Sequence, residues 1–386
     1  NMAINPASGK IYVTNIDSPN EVLFEGPGAH GGSTVQGKLS LSRVTILDPS
    51  GPSQDVQHLN QHINYANLHT DVDADHEAIN GQIQHSLATP LQPTISSDGS
   101  VIYIPAFGSK KIGVFTRAEL EDADFENTFD PTVESADYLS TFLGGPSGLA
   151  LDETNKRLYV MMRFNNAIEV IDLDSGTTSA LHPLHNPEPH SLVIGRHLLY
   201  DALTTSGNGE ASCSSCHIFG DLDGLAWNLG DPDEAVSTNN QPQPDVFLQI
   251  TSPTADFHPM KGPMTTQTLR GMSTHGAMHW RGDRADGVFG TDACNEAGYA
   301  EANSTNAPCD EVRAFKNFIV AFEGLVGKEG TISPFQMAIF SNFMLQVQLP
   351  PNPIRNLDNS LTLNQQMGSD KWFSCGPGTT ECLPLD

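Results

Sequence analysis

Gly148-Leu149-Ala150-Leu151-Asp152, Arg157-Leu158-Tyr159-Val160 and Ile168-Glu169-Val170-Ile171-Asp172 are three apolar runs separated by polar turns, and the same pattern recurs twice upstream. Such short runs, rich in Leu, Val, Ile and Tyr and bounded by Asp, Asn and Gly, read as β-strands rather than helices. One earlier copy runs Pro93-Thr94-Ile95-Ser96-Ser97-Asp98-Gly99, Val101-Ile102-Tyr103-Ile104 and Ile112-Gly113-Val114-Phe115. The first copy has Met2-Ala3-Ile4, a turn at Gly9-Lys10, Ile11-Tyr12-Val13-Thr14-Asn15 and, after a long gap, Val44-Thr45-Ile46-Leu47-Asp48. A recurring unit of this size cannot bury its apolar faces alone, which predicts an all-β array of stacked neighbours.

Each unit resembles a blade of the β-propeller family whose repeats carry a Tyr-Val-Thr-Asn signature, present here as Tyr12-Val13-Thr14-Asn15. The resemblance covers roughly residues 1 to 190. Closed propellers have about four to eight blades, so three copies starting at Asn1 predict blades that are missing, divergent or contributed from elsewhere, as in a fragment. Residues 52–88 break the pattern as an insertion carrying His58, His62, His69, His76 and His85. Asp71, Asp73, Asp75 and Glu77 alternate there as in a Ca2+ loop, although the position that needs glycine is His76; a Ca2+ site and a solvated insertion are both open readings.

From Gly195 onward the texture changes to helices and long loops. Asp310 is placed to cap a helix with Phe315, Phe318, Ile319 and Phe322 on one face. Ser333-Pro334 opens another that shows Met337, Phe340, Met344 and Val347 before Pro350-Pro351, and a third starts at Thr362. The 386 residues thus predict a multidomain chain divided at 1–190 and 191–386. A formal charge of -27, from 19 basic and 46 acidic side chains, argues against nucleic acid as a partner and favours basic proteins and cations. No run approaches the roughly 18 apolar residues of a membrane span.

Cys213-Ser214-Ser215-Cys216-His217 is the motif that carries chemistry. Two thiols at this spacing can each form a thioether to a haem vinyl group, and the adjoining histidine then serves as proximal iron ligand. A thioredoxin-like pair wants a βαβ context and a zinc site wants a second ligand couple, and neither pattern appears around it. One covalent haem c makes this a redox protein of the periplasm, the extracellular space or the cell surface. The other cysteines form two local couples, Cys294 with Cys309 and Cys375 with Cys382. Four cysteines permit three pairings, and the nearest-neighbour pairing predicts two disulfides.

The stretch before the motif, Gly195-Arg196-His197-Leu198-Leu199-Tyr200-Asp201 and then Ser206-Gly207-Asn208-Gly209 with Ser212, resembles the start of the first haem domain of the bacterial di-haem cytochrome c peroxidase family. That family includes relatives that modify amine dehydrogenase precursors. Lys261 to Arg270, followed by His279-Trp280-Arg281-Gly282-Asp283-Arg284, resembles the family's segment beside the haem. The resemblance covers about residues 190 to 386 and implies a mainly α-helical cytochrome c-type haem domain. It departs where family members carry a second Cys-x-x-Cys-His: Cys375 and Cys382 have the wrong spacing and no histidine follows, so only one haem is expected.

The resemblance makes His279 the first choice for sixth iron ligand, with His275 and Met278 as alternatives. His258, Met260, Met264 and Met272 are further candidates. Trp227 and Trp280 can pack on the porphyrin or simply fill core. Arg281 and Arg284 can pair with propionates or with Asp283 and Asp286. Asp221, Asp223, Asp231 and Asp233 form either a Ca2+ site or a solvated acidic loop. Three functions follow. The leading one is electron transfer by a peroxidase-derived module on a propeller, with a redox partner protein that is another cytochrome or a copy of itself. The second is a haem peroxidase, or an oxidase of protein side chains. The third is a propeller-based binding or structural protein of the cell surface.

Overall fold

The computed structural model describes residues 1–21, 38–65, 83–229, 243–245, 250–252, 263–274, 278, 311–328, 331–358 and 360–374. They fall into two compact units, Asn1–Val347 and Gln348–Asp386. The first unit contains antiparallel sheets together with helices.

Three sheets have four strands each, joined in chain order. The first holds β1 (Met2–Ile4), β2 (Ile11–Asp17), β3 (Leu41–Leu47) and β4 (Gln54–His58). The second holds β5 (Thr94–Ile95), β6 (Val101–Ala106), β7 (Lys111–Thr116) and β8 (Leu139–Ser140). The third holds β9 (Pro146–Asp152), β10 (Arg157–Met162), β11 (Ala167–Asp172) and β12 (Thr177–Pro183). The three apolar runs of every copy are strands, and each sheet adds a fourth. Part of the expected insertion is that fourth strand: β4 pairs with β3, Val56 lying opposite Thr45. Asp71, Asp73, Asp75 and Glu77 lie outside the described residues.

Alternation of side chains gives each strand two faces. Along β3, Ser42, Val44 and Ile46 are buried while Leu41, Arg43, Thr45 and Leu47 are half-buried. Tyr12, Val44 and Ile46 share a core with Ile102, Ile104 and Phe115, which packs the first sheet on the second. Ile112 and Leu139 share another with Leu158, Val160 and Met162, which packs the second on the third. Between β7 and β8 run three short helices, α1 (Arg117–Leu120), α2 (Phe125–Thr128) and α3 (Pro131–Glu134). Phe125 and Phe129 stack at 4.7 Å and close the first of these cores.

After β12 the chain enters α4 (His190–Tyr200), α5 (Ala202–Thr205) and α6 (Cys213–Cys216). Short strands follow, β13 (Ala226–Asn228), β14 (Gln243–Asp245), β15 (Ile250–Ser252) and β16 (Pro263–Thr265). Then come α7 (Glu311–Lys316), α8 (Ala321–Gly324) and α9 (Pro334–Met344). In α9 the Ser333 hydroxyl accepts from the Gln336 N–H and Pro334 occupies the first turn, which is why the helix starts there. Leu198 and Leu199 of α4 and Met337, Phe340 and Met344 of α9 enter one core with Phe315, Ile319 and Phe322. Gly195 permits this approach, because a Cβ at that position would overlap the Cβ of Phe343. In the second unit, α10 (Leu363–Ser374) begins at the expected Thr362 turn, whose N–H donates to Gln365 Oε1 at 3.0 Å.

Candidate haem-attachment site

The approach to α6 is tied by its own polar residues. Asp201 caps α5 by accepting from the Leu203 N–H at 3.1 Å. Asn208 Oδ1 accepts from the N–H groups of Glu210 (2.9 Å) and Ala211 (3.3 Å), holding a tight buried loop. Ser215 Oγ accepts from the Ser212 N–H at 3.1 Å and starts the single turn of α6. That turn sets Cys213 and Cys216, three residues apart, on one side.

His217 leaves the turn with φ -93° and ψ 67°. Its Nδ1 is 2.8 Å from the carbonyl oxygen of Gln267. A carbonyl only accepts, so Nδ1 carries the proton and Nε2 keeps its lone pair. Burial also lowers the imidazole pKa and favours the neutral ring. Leu269 N–H donates to Gly220 O at 3.0 Å and Thr266 N–H to Leu225 O at 3.1 Å, so residues 263–270 lie along the loop that follows the motif. Phe219 and Gly220, at φ 52° and 75°, turn that loop sharply.

Burial pushes the Cys213 thiol up to about 12, and Cys216 is raised by burial and then by Asp223 and Cys213. Both are protonated at neutral pH, whereas a thiol redox pair depends on a lowered pKa. The two cysteines are not bonded to each other and pack against the core that holds Trp227, Met272 and Met278. Among the described residues no three His, Cys, Asp or Glu side chains gather into a metal-holding group.

These residues fit a covalent haem on three observations. Two free, half-buried thiols share one helical turn, the adjoining imidazole offers Nε2 with its other nitrogen engaged, and large apolar side chains beside them stay exposed. Ile218, Phe219 and Leu222 are 43%, 56% and 50% exposed, an apolar surface that a porphyrin would cover.

Of the other expected site residues, Trp227 is buried on β13 and its Nε1–H donates to Asp223 Oδ2 at 2.8 Å. Met278 is buried in the same core as the cysteines. His258, Met260, His275, His279, Trp280, Arg281 and Arg284 lie outside the described residues, as do Cys294, Cys309, Cys375, Cys382, Asp231 and Asp233. Two features went unread in the sequence. Arg270 pairs with Asp221 (3.4 Å) and donates to Phe219 O (3.2 Å) beside the motif. Glu210, three residues before Cys213, is fully buried. Its Oε1 takes the Ser42 N–H (2.7 Å), Asn60 Nδ2 (2.7 Å) and His58 Nε2 (3.0 Å), and Oε2 takes the Tyr65 hydroxyl. An acid inside a Ser/Gly/Asn run was the one available signal for it.

No protein-family model matches the chain, and no curated protein matches it. Solved structures do. One is Kuenenia stuttgartiensis hydrazine synthase, 18% identical over 45% of this chain and 44% of that one, with a TM-score of 0.30. Another is Kuenenia stuttgartiensis hydrazine synthase pressurized with 20 bar xenon, 22% identical over 52% of this chain and 51% of that one, with a TM-score of 0.28. The matches span about half the length of either partner.

Proposed function

We propose that this chain is an extracytoplasmic c-type cytochrome that transfers electrons through one covalent haem, carried by a peroxidase-derived segment mounted on propeller blades. The observation that carries the reading is the pairing of a Cys-x-x-Cys turn with a histidine whose Nδ1 is engaged by the Gln267 carbonyl. That bond orients the ring and leaves Nε2 as the iron-binding atom.

Cys213 and Cys216 would hold the haem by thioethers and His217 would be the proximal ligand. The haem supplies a one-electron couple. The residues of this chain do the rest. Gln267 fixes the imidazole tautomer, and the core around Trp227, Met272 and Met278 keeps water from one side of the motif. His279 is the proposed sixth ligand, with His275 and Met278 as alternatives. Ile218, Phe219 and Leu222 would supply apolar contacts to the haem. The three stacked four-stranded meanders support reading residues 1–190 as blades. The acidity of the chain suits a basic redox partner.

A pyridine haemochrome spectrum with an intact mass tests this directly. The expected result is a thioether-type spectrum, a mass one haem above the polypeptide, and loss of both in the Cys213→Ala/Cys216→Ala double variant. A colourless protein with the mass of the bare chain, expressed alongside a competent c-type maturation system, overturns it. In the wild-type protein, a ferric spectrum altered by hydrogen peroxide together with turnover of a donor would replace electron transfer by peroxidase chemistry.

A further inference from the structure

The segment 117–137, between β7 and β8, carries eight acidic side chains and a single basic one, Arg117. Several of these acids are satisfied locally. Glu121 pairs with Lys10 at 3.3 Å, Asp122 Oδ1 accepts from the Asp124 N–H at 2.9 Å, and Asp130 Oδ1 accepts from the Thr132 N–H at 2.9 Å. Glu119, Glu134 and Asp137 are not. Glu119 uses Oε2 to accept from the Thr116 N–H at 2.7 Å, and its Oε1 has no bonded partner among the described residues; neither do the carboxylates of Glu134 and Asp137.

These three carboxylates border a hollow of about 90 Å³ whose other walls include Val101, Val114 and Phe115. Glu119 and Glu134 also border a wider hollow that reaches Phe129. Tyr138 supplies an independent observation. It is 9% exposed, its ring packs 5.6 Å from that of Phe115, and its hydroxyl is enclosed without a hydrogen-bond partner. Burial, and then Glu119 and Glu134, push the phenol above its ordinary value, so the hydroxyl lies in the field of the two carboxylates that the hollows share. A buried hydroxyl left unbonded costs free energy, and a donor brought into the hollow removes that cost.

We propose that the smaller hollow binds an organic cation, an ammonium or guanidinium group on a short apolar stem, with Glu119, Glu134 and Asp137 taking its charge and the Tyr138 hydroxyl accepting from one of its N–H groups. Sign, size and lining select this class. Three carboxylates without a basic partner repel an anion. The volume is well below the roughly 300–1,000 Å³ of a drug-sized pocket, which suits a head group and a few methylenes. A metal ion needs its oxygens gathered about one point, roughly 2.0–2.6 Å away, and among the described residues there is no such group. Carboxylates spread around an apolar floor instead suit a cation whose N–H donors diverge and whose stem lies on Val114 and Phe115. None of these residues takes part in the proposed haem attachment, so the two readings stand or fall separately.

Titration calorimetry of the full chain with 1-aminobutane tests the proposal, with Ca2+ and an end-blocked Gly-Lys-Gly peptide as further probes. Saturable binding at one site is expected, weakened about tenfold or more by Glu134→Gln and by Tyr138→Phe. Tyr138→Phe is the more telling variant because it leaves the charge of the chain unchanged. Glu126→Gln removes the same charge from the same segment but borders neither hollow, and should bind as wild type does. Circular dichroism checks that each variant is folded, and Glu134, which is half-buried, keeps the test open should Tyr138→Phe not fold. Peptide binding as tight as that of 1-aminobutane assigns the cation to a lysine of a partner protein, and exclusion of the peptide assigns it to a free amine. Absence of saturable amine binding overturns the proposal. So does equal weakening by Glu134→Gln and Glu126→Gln, which means diffuse attraction to a net charge of -27. Ca2+ that displaces the amine and is itself lost in the Glu134 and Tyr138 variants also overturns it, in favour of a metal site.

Discussion

Glu210 gathers hydrogen bonds from Ser42, His58, Asn60 and Tyr65, four points far upstream of it. A fully buried carboxylate persists only when its oxygens are saturated in this way. Burial and then the neighbouring carboxylate push the Tyr65 phenol far above its ordinary value, so it stays a donor. Glu210→Ala would strand these donors, and a loss of about 3–5 kcal/mol in urea unfolding is expected. Glu210→Gln, which keeps one acceptor oxygen, should lie between. Lys111 is a second residue with a measurable signature. It is 8% exposed and donates to the carbonyls of Ile83, Gln84 and Ser86. Burial lowers its pKa from 10.5 to about 8, with Asp201 opposing. The unfolded chain therefore binds more protons between these values, and stability should climb as pH rises above 8, by up to about 3 kcal/mol. Near pH 10 the raised phenols of Tyr12 and Tyr65 begin to act in the opposite direction. Unfolding of wild type and Lys111→Met compared from pH 7 to about 10 checks this, the variant lacking the rise. Cys213, Cys216 and His217, the proposed attachment residues, could be named from the sequence because the motif is contiguous. The Gln267 carbonyl was not, since a backbone acceptor leaves no trace in residue identity, and neither was Glu210, whose partners lie up to 168 positions away.

Elements announced themselves where local chemistry and burial agreed. Val101–Ala106 and Arg157–Met162 read as strands because one face of each is core, and Pro334–Met344 read as a helix because Ser333, Pro334 and an apolar stripe coincide. The fourth strand of each sheet was missed. β4 is Gln54-Asp55-Val56-Gln57-His58, a mostly polar sequence paired along one edge, and β12 is exposed at most positions. An edge strand needs little hydrophobic patterning to take its hydrogen bonds. The contact of α4 with α9 depends on a missing methyl. Gly195→Ala would drive a Cβ into Phe343 and Ile339, and the overpacking should cost about 1–3 kcal/mol in thermal or urea unfolding. Phe343→Leu in the same chain should return part of that loss.

For the molecule as a whole, the recurrence of apolar runs revealed three like sheets, the last strand of which, β12, ends at Pro183 before α4 begins at His190. What the pattern did not disclose is that sheets and motif share one compact unit, Asn1–Val347. Such joins are made by individual long-range bonds, Ala202 N–H to Gly108 O at 2.8 Å among them, and by Leu39 entering the core of the helices. No periodicity encodes them.

The cluster around Glu210 also bears on when the first sheet can complete its contacts as the chain emerges. Its upstream donors are synthesised long before the acid that joins them, and the cysteines emerge only a few residues after that acid. A knot tied so close to the motif anchors the cysteines to the first sheet. Opening either the early segment or the late one therefore exposes the same buried acid, which couples the two.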